Sequence, residues 1–260
     1  LVGAALGLPV STLVLREDDP VEETAAALAE SHTLKRLSGM PVGRILGERE
    51  FYGRRFLLNE APLEPRPDTE TLVDAVLERT GPDDALTLCD IGTGSGAIAV
   101  SLLAERRNVR MIAVDLSPEA LDCTVRNAEL HQVADRLLPV CADYTSALRP
   151  AAACLQGEGL DWVISNPPYI RTAVLGDLSR EVIHHDPVLA LNGGADGLEA
   201  YRRIAADAAR LLAPGGRIGL EIGHDQADDV KKQLRHHGFG GIEIIKDLSG
   251  SDRVALAIKP

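Results

Sequence analysis

No stretch of this chain stays apolar for the roughly 18 residues a helix needs to cross a bilayer, so a membrane-spanning protein is not expected. Positive charge is in deficit: 27 Lys and Arg face 39 Asp and Glu, a formal net charge of −12. Neutralising phosphates supplies most non-specific affinity for nucleic acid, so this balance argues against DNA or RNA as the main partner. Cysteine is sparse, and Cys89, Cys123, Cys141 and Cys154 form no Cys-x-x-Cys pair. A clustered zinc site and a dense extracellular disulfide framework are both disfavoured, which leaves buried thiols of a reducing cytoplasm as the expectation. Internal repeats and low-complexity tracts are absent. Ser95 and Ser165 have no histidine at nucleophile spacing, so no hydrolase role is assigned. Adjacent side chains seldom converge on one ion, so the histidines of His184-His185-Asp186 and His236-His237 read as solvated and no metal site is expected. Arg54-Arg55 and Arg202-Arg203 read as solvated faces.

What is present fits an ordinary globular composition, 45% hydrophobic and 25% charged over 260 residues. That length suits one α/β domain of about 180 residues with a smaller appendage. Leu1–Leu8 is apolar but has neither a basic flank nor a small-residue cleavage site, so it is not read as a signal peptide. The chain begins at Leu rather than Met, and a truncated N-terminal helical domain is expected over residues 1–46. Within it, Val21–Gly39 has helical spacing and a glycine stop. Residues 47–68, rich in Gly and Pro with alternating apolar positions, suit a hairpin linker more than a core. The main domain is expected over residues 69–260.

From Ala85 onward, short apolar runs alternate with helical stretches. Ala85–Gly92, Val109–Leu116, Arg136–Asp143, Leu160–Tyr169 and Arg217–Gly223 read as five strands. Helices are expected between them, one opening at Pro118 and another running from Leu198 to a Pro-Gly-Gly stop at 214–216. Such alternation predicts right-handed crossovers and a parallel sheet. Only Leu248–Asp252 separates the last two strands, Ile242–Leu248 and Arg253–Lys259, which should therefore pair antiparallel. The predicted class is α/β, Rossmann-like, with a mostly parallel seven-stranded sheet closed by an antiparallel hairpin.

Four strand ends carry chemistry. Between the first strand and its helix lie Gly92, Thr93, Gly94, Ser95 and Gly96, which let the backbone turn tightly and come close to a ligand. The helix N-terminus beyond them offers N–H groups to an anion such as the carboxylate of S-adenosylmethionine. Asp115 ends the second strand, where a carboxylate can take both hydroxyls of a ribose. Asp143 and Tyr144 follow the third, at a place suited to bound an adenine ring. Gly92, Gly94 and Ala97 equally satisfy a dinucleotide fingerprint, so the loop alone leaves a nicotinamide cofactor open. Asn166, Pro167, Pro168 and Tyr169 follow the fourth strand. The lone pair of an amide or aromatic amino nitrogen is delocalised and a poor nucleophile. Two acceptors on its N–H hydrogens, the Asn166 side-chain oxygen and the Pro167 carbonyl, would push it toward tetrahedral geometry and aim the lone pair at a methyl group. Consecutive prolines stiffen the turn and remove competing donors, and Tyr169 offers a flat face to a planar group. These residues predict methyl transfer from S-adenosylmethionine to a planar nitrogen.

Together with Pro65-Arg66-Pro67-Asp68-Thr69-Glu70 before the first strand and the 186–198 run ending Asp196-Gly197-Leu198, these motifs resemble the peptide chain release factor glutamine N5-methyltransferases of the HemK type. The likeness covers nearly the whole chain. It implies a class I methyltransferase fold. It also implies a cytoplasmic monomer that methylates the glutamine of a release factor's Gly-Gly-Gln loop without contacting nucleic acid directly. The glutamine amide would be held by Asn166 and the Pro167 carbonyl. Gly92 to Gly96, Asp115, Tyr144 and Asn166 would line the cofactor site, and the N-terminal helices would grip the protein substrate. Gly43-Arg44 stands where Gln-Tyr is common in that family, and Tyr144 where Trp occurs. Asn-Pro-Pro-Tyr is shared with enzymes that methylate adenine or cytosine amino groups in DNA or RNA, which is the alternative function. A non-catalytic module on the same fold is a further one.

Overall fold

The computed structural model describes residues 1–149 and 159–260, leaving aside the side chains of Arg180 and His184. Four helices lead: α1 (Val2–Leu6), α2 (Val10–Leu13), α3 (Glu23–Leu37) and α4 (Val42–Leu46). The glycine stop of α3 is a Schellman closure, with Gly39 N–H on Arg36 O at 3.0 Å and Met40 N–H on Lys35 O at 3.1 Å. Strands β1 (Glu48–Phe51) and β2 (Arg54–Leu57) then pair antiparallel across Tyr52-Gly53, both at positive φ as a tight hairpin requires. This hairpin is more than a linker. Phe51 and Phe56 are fully buried in the main core and meet edge to face at 6.0 Å.

The main domain opens with α5 (Glu70–Leu77) and continues as β3 (Thr87–Ile91), α6 (Ala97–Glu105), β4 (Arg110–Asp115), α7 (Pro118–Leu130), β5 (Leu137–Cys141) and β6 (Leu160–Ser165). Helices α8 (Arg180–His185), α9 (Val188–Leu191) and α10 (Glu199–Leu211) precede β7 (Leu212–Glu221), α11 (Ala227–His236), β8 (Gly240–Lys246) and β9 (Asp252–Ile258). The seven main-domain strands lie in the order β5-β4-β3-β6-β7-β9-β8. From β5 to β7 they are parallel; β9 enters antiparallel between β7 and β8. The expected seven strands and closing hairpin are both present.

Alternation along the strands divides the core into two layers. Leu88, Met111, Trp162 and Ile164 face the layer with α5, α6 and the hairpin, while Cys89, Ile112, Val114 and Val163 face the layer with α10 and α11. Pro118 opens α7 as expected, with Ser117 capping it by accepting from Ala120 N at 3.1 Å. Helix α10 ends at Leu211, before the Pro-Gly-Gly stop. Residues 213–216 form an irregularity inside β7, whose pairing jumps from Leu212 to Arg217 against Leu160 and Trp162.

Two expectations need correction or bounding. Cys141 is exposed, unlike the buried Cys89 and Cys123, because it ends β5, the outermost strand on its side. Cys154 lies outside the described residues. Helices α5, α8 and α9, none longer than 8 residues, carry too little periodicity to read from sequence.

Candidate active site

The chain runs outward from β3 to β4 and β5, then returns to place β6 on the other side of β3. The carboxyl edge between β3 and β6 is therefore the switch point where open α/β sheets bind ligands. Asp90 is level with Ile164 across that pair, so the bend after β3 and the corner after β6 leave the sheet side by side. The Ser165 hydroxyl joins them, donating to the Ile91 carbonyl at 2.6 Å.

The glycine bend is held by local bonds. Gly92 and Thr93 N–H both donate to Val114 O, at 2.8 and 3.0 Å. Asp90 is fully buried, and its Oδ2 accepts from the Thr93 hydroxyl at 2.7 Å. Burial pushes this carboxyl up to about 7, and the nearby Asp115 charge adds to the rise while the Thr93 bond opposes it. Gly96 takes φ 79°, and a Cβ there would stand 2.9 Å from Thr124 Cγ2, so glycine alone lets α7 pack this close. Asp115 accepts Gly94 N–H on one oxygen and Ser117 N–H on the other, both at 2.9 Å. Each oxygen keeps a lone pair for a further donor. The bend also ties into the hairpin through Asn127, whose amide donates to Ser95 O at 2.8 Å and to Leu57 O at 3.0 Å.

The Asn-Pro-Pro-Tyr corner is held from afar. Gly193 packs on it so closely that a Cβ would sit 2.8 Å from Pro168 O and from Tyr169 Cα. Ile170 bridges to Asn192, and Gln226 Nε2 donates to Tyr169 O at 3.1 Å. Tyr169 is half-buried against the layer containing Tyr201. Its hydroxyl is pushed up to about 12, first by burial and then by the Glu221 charge. Asn166 Nδ2 donates to Thr69 Oγ1 at 3.2 Å, and the Thr69 hydroxyl donates to Glu221 Oε2 at 2.6 Å. Among the described residues no hydrogen bond ends on Asn166 Oδ1 or on the Pro167 carbonyl.

Asp143 and Tyr144 follow β5 beside the end of β4, where Ala142 N–H donates to Asp115 O at 3.0 Å. Arg203 of α10 engages both, with an ion pair to Asp143 at 2.6 Å and its guanidinium 4.1 Å from the centroid of the Tyr144 ring. Tyr144 adopts φ 49°, unusual for a bulky residue. A separate cleft of about 280 Å³ lies among the N-terminal helices and takes in none of the expected site residues.

The Methyltransferase small domain family model matches residues 67–195. A release factor glutamine methyltransferase of Agrobacterium fabrum is 39% identical over 98% of this chain and 86% of its own length. One from Cereibacter sphaeroides is 41% identical over all of this chain and 89% of its own, and one from Bradyrhizobium diazoefficiens 43% over 90% and 77%. The chain belongs to the release factor glutamine methyltransferase family. Its fold is shared with a methyltransferase of Pyrococcus furiosus, 18% identical, TM-score 0.52, covering 89% of this chain and 98% of that one. It is also shared with a 16S rRNA N2 G1207 methyltransferase of T. thermophilus solved with AdoMet and guanosine, 18% identical, TM-score 0.56, covering 82% and 50%.

Within this family member, sequence reading overlooked Glu221, Arg253 and the bonding role of Thr69. Thr69 lay in a quoted motif, and Glu221 ends an apolar strand as Asp115 does, which was the available signal. Asp186, which opens the 186–198 run, is buried. It pairs with Arg66 at 2.8 Å and with Arg44 at 3.7 Å, fastening the segment before α9 to the residues ahead of α5. Arg44, at the position where the resemblance anticipates a different pair, also donates to the carbonyls of Asn59 and Pro62. No metal-binding cluster exists among the described residues, and no helix among them is long and apolar enough to cross a membrane. His236 and His237 stack edge to face at 5.1 Å, and the His184 side chain lies outside the described residues.

Proposed function

We propose that this chain transfers a methyl group from S-adenosylmethionine to the side-chain amide nitrogen of the glutamine in a release factor's Gly-Gly-Gln loop. The observation that carries this is the division of labour at Asn166. Its NH₂ is engaged by Thr69 while its oxygen, with the Pro167 carbonyl beside it, is unspent next to the glycine bend. Two acceptors and no competing donor suit a carboxamide NH₂.

The residues present fit the cofactor. The bend opens on the N-terminus of α6, suited to a carboxylate, and Asp115 has acceptor capacity left for ribose hydroxyls. When bound, S-adenosylmethionine supplies an electrophilic methyl on a positively charged sulfur. Asn166 and Pro167 then hold both substrate N–H groups and draw the nitrogen lone pair out of conjugation. The cofactor would supply the methyl group to that nitrogen and keep the electron pair of its C–S bond. The proton on nitrogen, now strongly acidic, passes to water, so no general base is needed. Orientation carries most of the acceleration. Residues 1–46 would dock the release factor, residues 69–260 would perform the transfer, and the 47–68 hairpin packs onto the latter. The protein acts as a cytoplasmic monomer.

Mass spectrometry of a release factor incubated with this protein and S-adenosylmethionine should find one added methyl, on the loop glutamine. Label on nucleic acid with none on the release factor would overturn the reading in favour of an adenine or cytosine amino methyltransferase.

A further inference from the structure

Asn166 can serve as an acceptor only if its amide is the right way round. The two ends of a carboxamide have nearly the same shape, so packing alone cannot choose between them; the hydrogen-bond network must. Here the choice is made by residues far away in sequence. Thr69, in the turn before α5, is 97 positions from Asn166, and Glu221, at the end of β7, is 152 positions from Thr69. Thr69 and Glu221 are both buried, at 4% and 2% exposure, so water cannot stand in for either partner.

A hydroxyl has one hydrogen to give. An ionised carboxylate can only accept, so at 2.6 Å it claims that hydrogen. The Thr69 oxygen is then an acceptor alone, and Asn166 must turn its NH₂ toward it. Glu221 reinforces this, because the Asn166 amide also lies within its hydrogen-bonding influence. Building on the proposed methyl transfer, we propose that Glu221, acting through Thr69, is a positioning residue that fixes the Asn166 carboxamide with its oxygen toward the substrate.

The network should respond to pH. Burial pushes the Glu221 carboxyl up to about 7, opposed by the Thr69 hydroxyl, by Arg253 of β9 and by the Asn166 amide, and assisted by Asp68 of the 67–69 turn. Tyr169 of the corner and Tyr201 of α10 also face it, and Arg253 is shared with Asp68 at 3.2 Å and Asp247 at 3.0 Å. Once Glu221 takes up a proton, its grip on the Thr69 hydrogen loosens. The hydroxyl is then free to donate to Asn166, which stabilises the reversed amide.

The test compares Glu221→Gln, Thr69→Val and Thr69→Ser with the parent protein on a release factor substrate. Glu221→Gln should lower kcat by about tenfold or more, with KM and S-adenosylmethionine affinity within about threefold, since orientation and not binding is lost. The kcat of the parent protein should rise between about pH 6 and 8, and that rise should disappear in this variant. Thr69→Val should lose as much, and Thr69→Ser, which keeps the hydroxyl, should exceed Thr69→Val by about tenfold. A near-parental kcat with an unchanged pH profile in Glu221→Gln, or equal activity in Thr69→Val and Thr69→Ser, would overturn the proposal. Neutron diffraction of the parent protein at about pH 8 tests it without any substrate. Deuterium should lie on the Asn166 nitrogen facing Thr69 and on Thr69 facing Glu221; the opposite arrangement overturns it even if methylation of the release factor is confirmed. Failure to methylate any release factor, with this deuterium pattern intact, would count against the proposed substrate alone.

Discussion

The two halves of the site are built on opposite plans. The glycine bend is stabilised by neighbours: Asp90 holds Thr93 three positions away, Val114 and Asp115 end the very next strand, and Thr124 and Asn127 lie on the helix that follows it. The Asn-Pro-Pro-Tyr corner is stabilised by strangers, with Thr69, Gly193, Glu221 and Gln226 each arriving from a different element. A locally built feature can be recognised from a short motif. A corner assembled from four remote segments shows only its own four residues, and the parts that orient it stay hidden until the chain is folded.

Substitutions can test whether the halves are separable. The largest effect is expected from Asn166→Ala, which removes an acceptor from the substrate amide. Turnover should fall at least about a hundredfold, with S-adenosylmethionine affinity by calorimetry within about tenfold. A near-normal rate would refute the role assigned to Asn166. Asp115→Asn should show the reverse pattern. One of its two N–H partners would then face an amide NH₂ rather than an oxygen, so cofactor affinity should drop about 30-fold while kcat at saturation stays within about threefold. Loss of kcat without loss of affinity would show that the halves are not independent.

A smaller effect concerns folding. Glu221 has a folded pKa of about 7, above its ordinary 4.5. The folded state therefore binds the proton more tightly, and this contribution to stability, complete below pH 4.5, is lost as pH rises through about 7. Urea melts should show Glu221→Gln gaining about 2 kcal/mol relative to the parent between pH 5 and 8, even as its kcat falls. A constant difference across that range would show that the carboxylate is not strained by burial. The smallest change is expected from Arg203→Ala. It removes an exposed ion pair to Asp143 and the cover of Tyr144, and should cost under about 1 kcal/mol. Cofactor affinity should move less than about threefold unless Tyr144 meets the adenine, in which case calorimetry will report a larger shift.

The same contrast explains how far the sequence could be read. The seven strands, the final hairpin and the glycine bend were legible because apolar alternation and turn residues act over a few positions. The corner's proline stiffness was legible too. Cys141 was misplaced because an apolar strand gives no sign that it will be outermost. The burial of Asp186 was not legible because the arginines that neutralise it lie 120 or more residues upstream. Phe51 and Phe56 were assigned to a linker because Gly and Pro dominate their surroundings, yet two phenylalanines outweigh a flexible composition once a core is within reach.

The bond from Ser165 to the last carbonyl of β3 has a mechanical consequence. On the proposed reading, the seat for the methyl donor and the seat for its acceptor hang from adjoining strands that are pinned to each other at their tips. Were the sheet to twist or flex, both seats would travel as one piece, and the gap the methyl group must cross would be shielded from that motion.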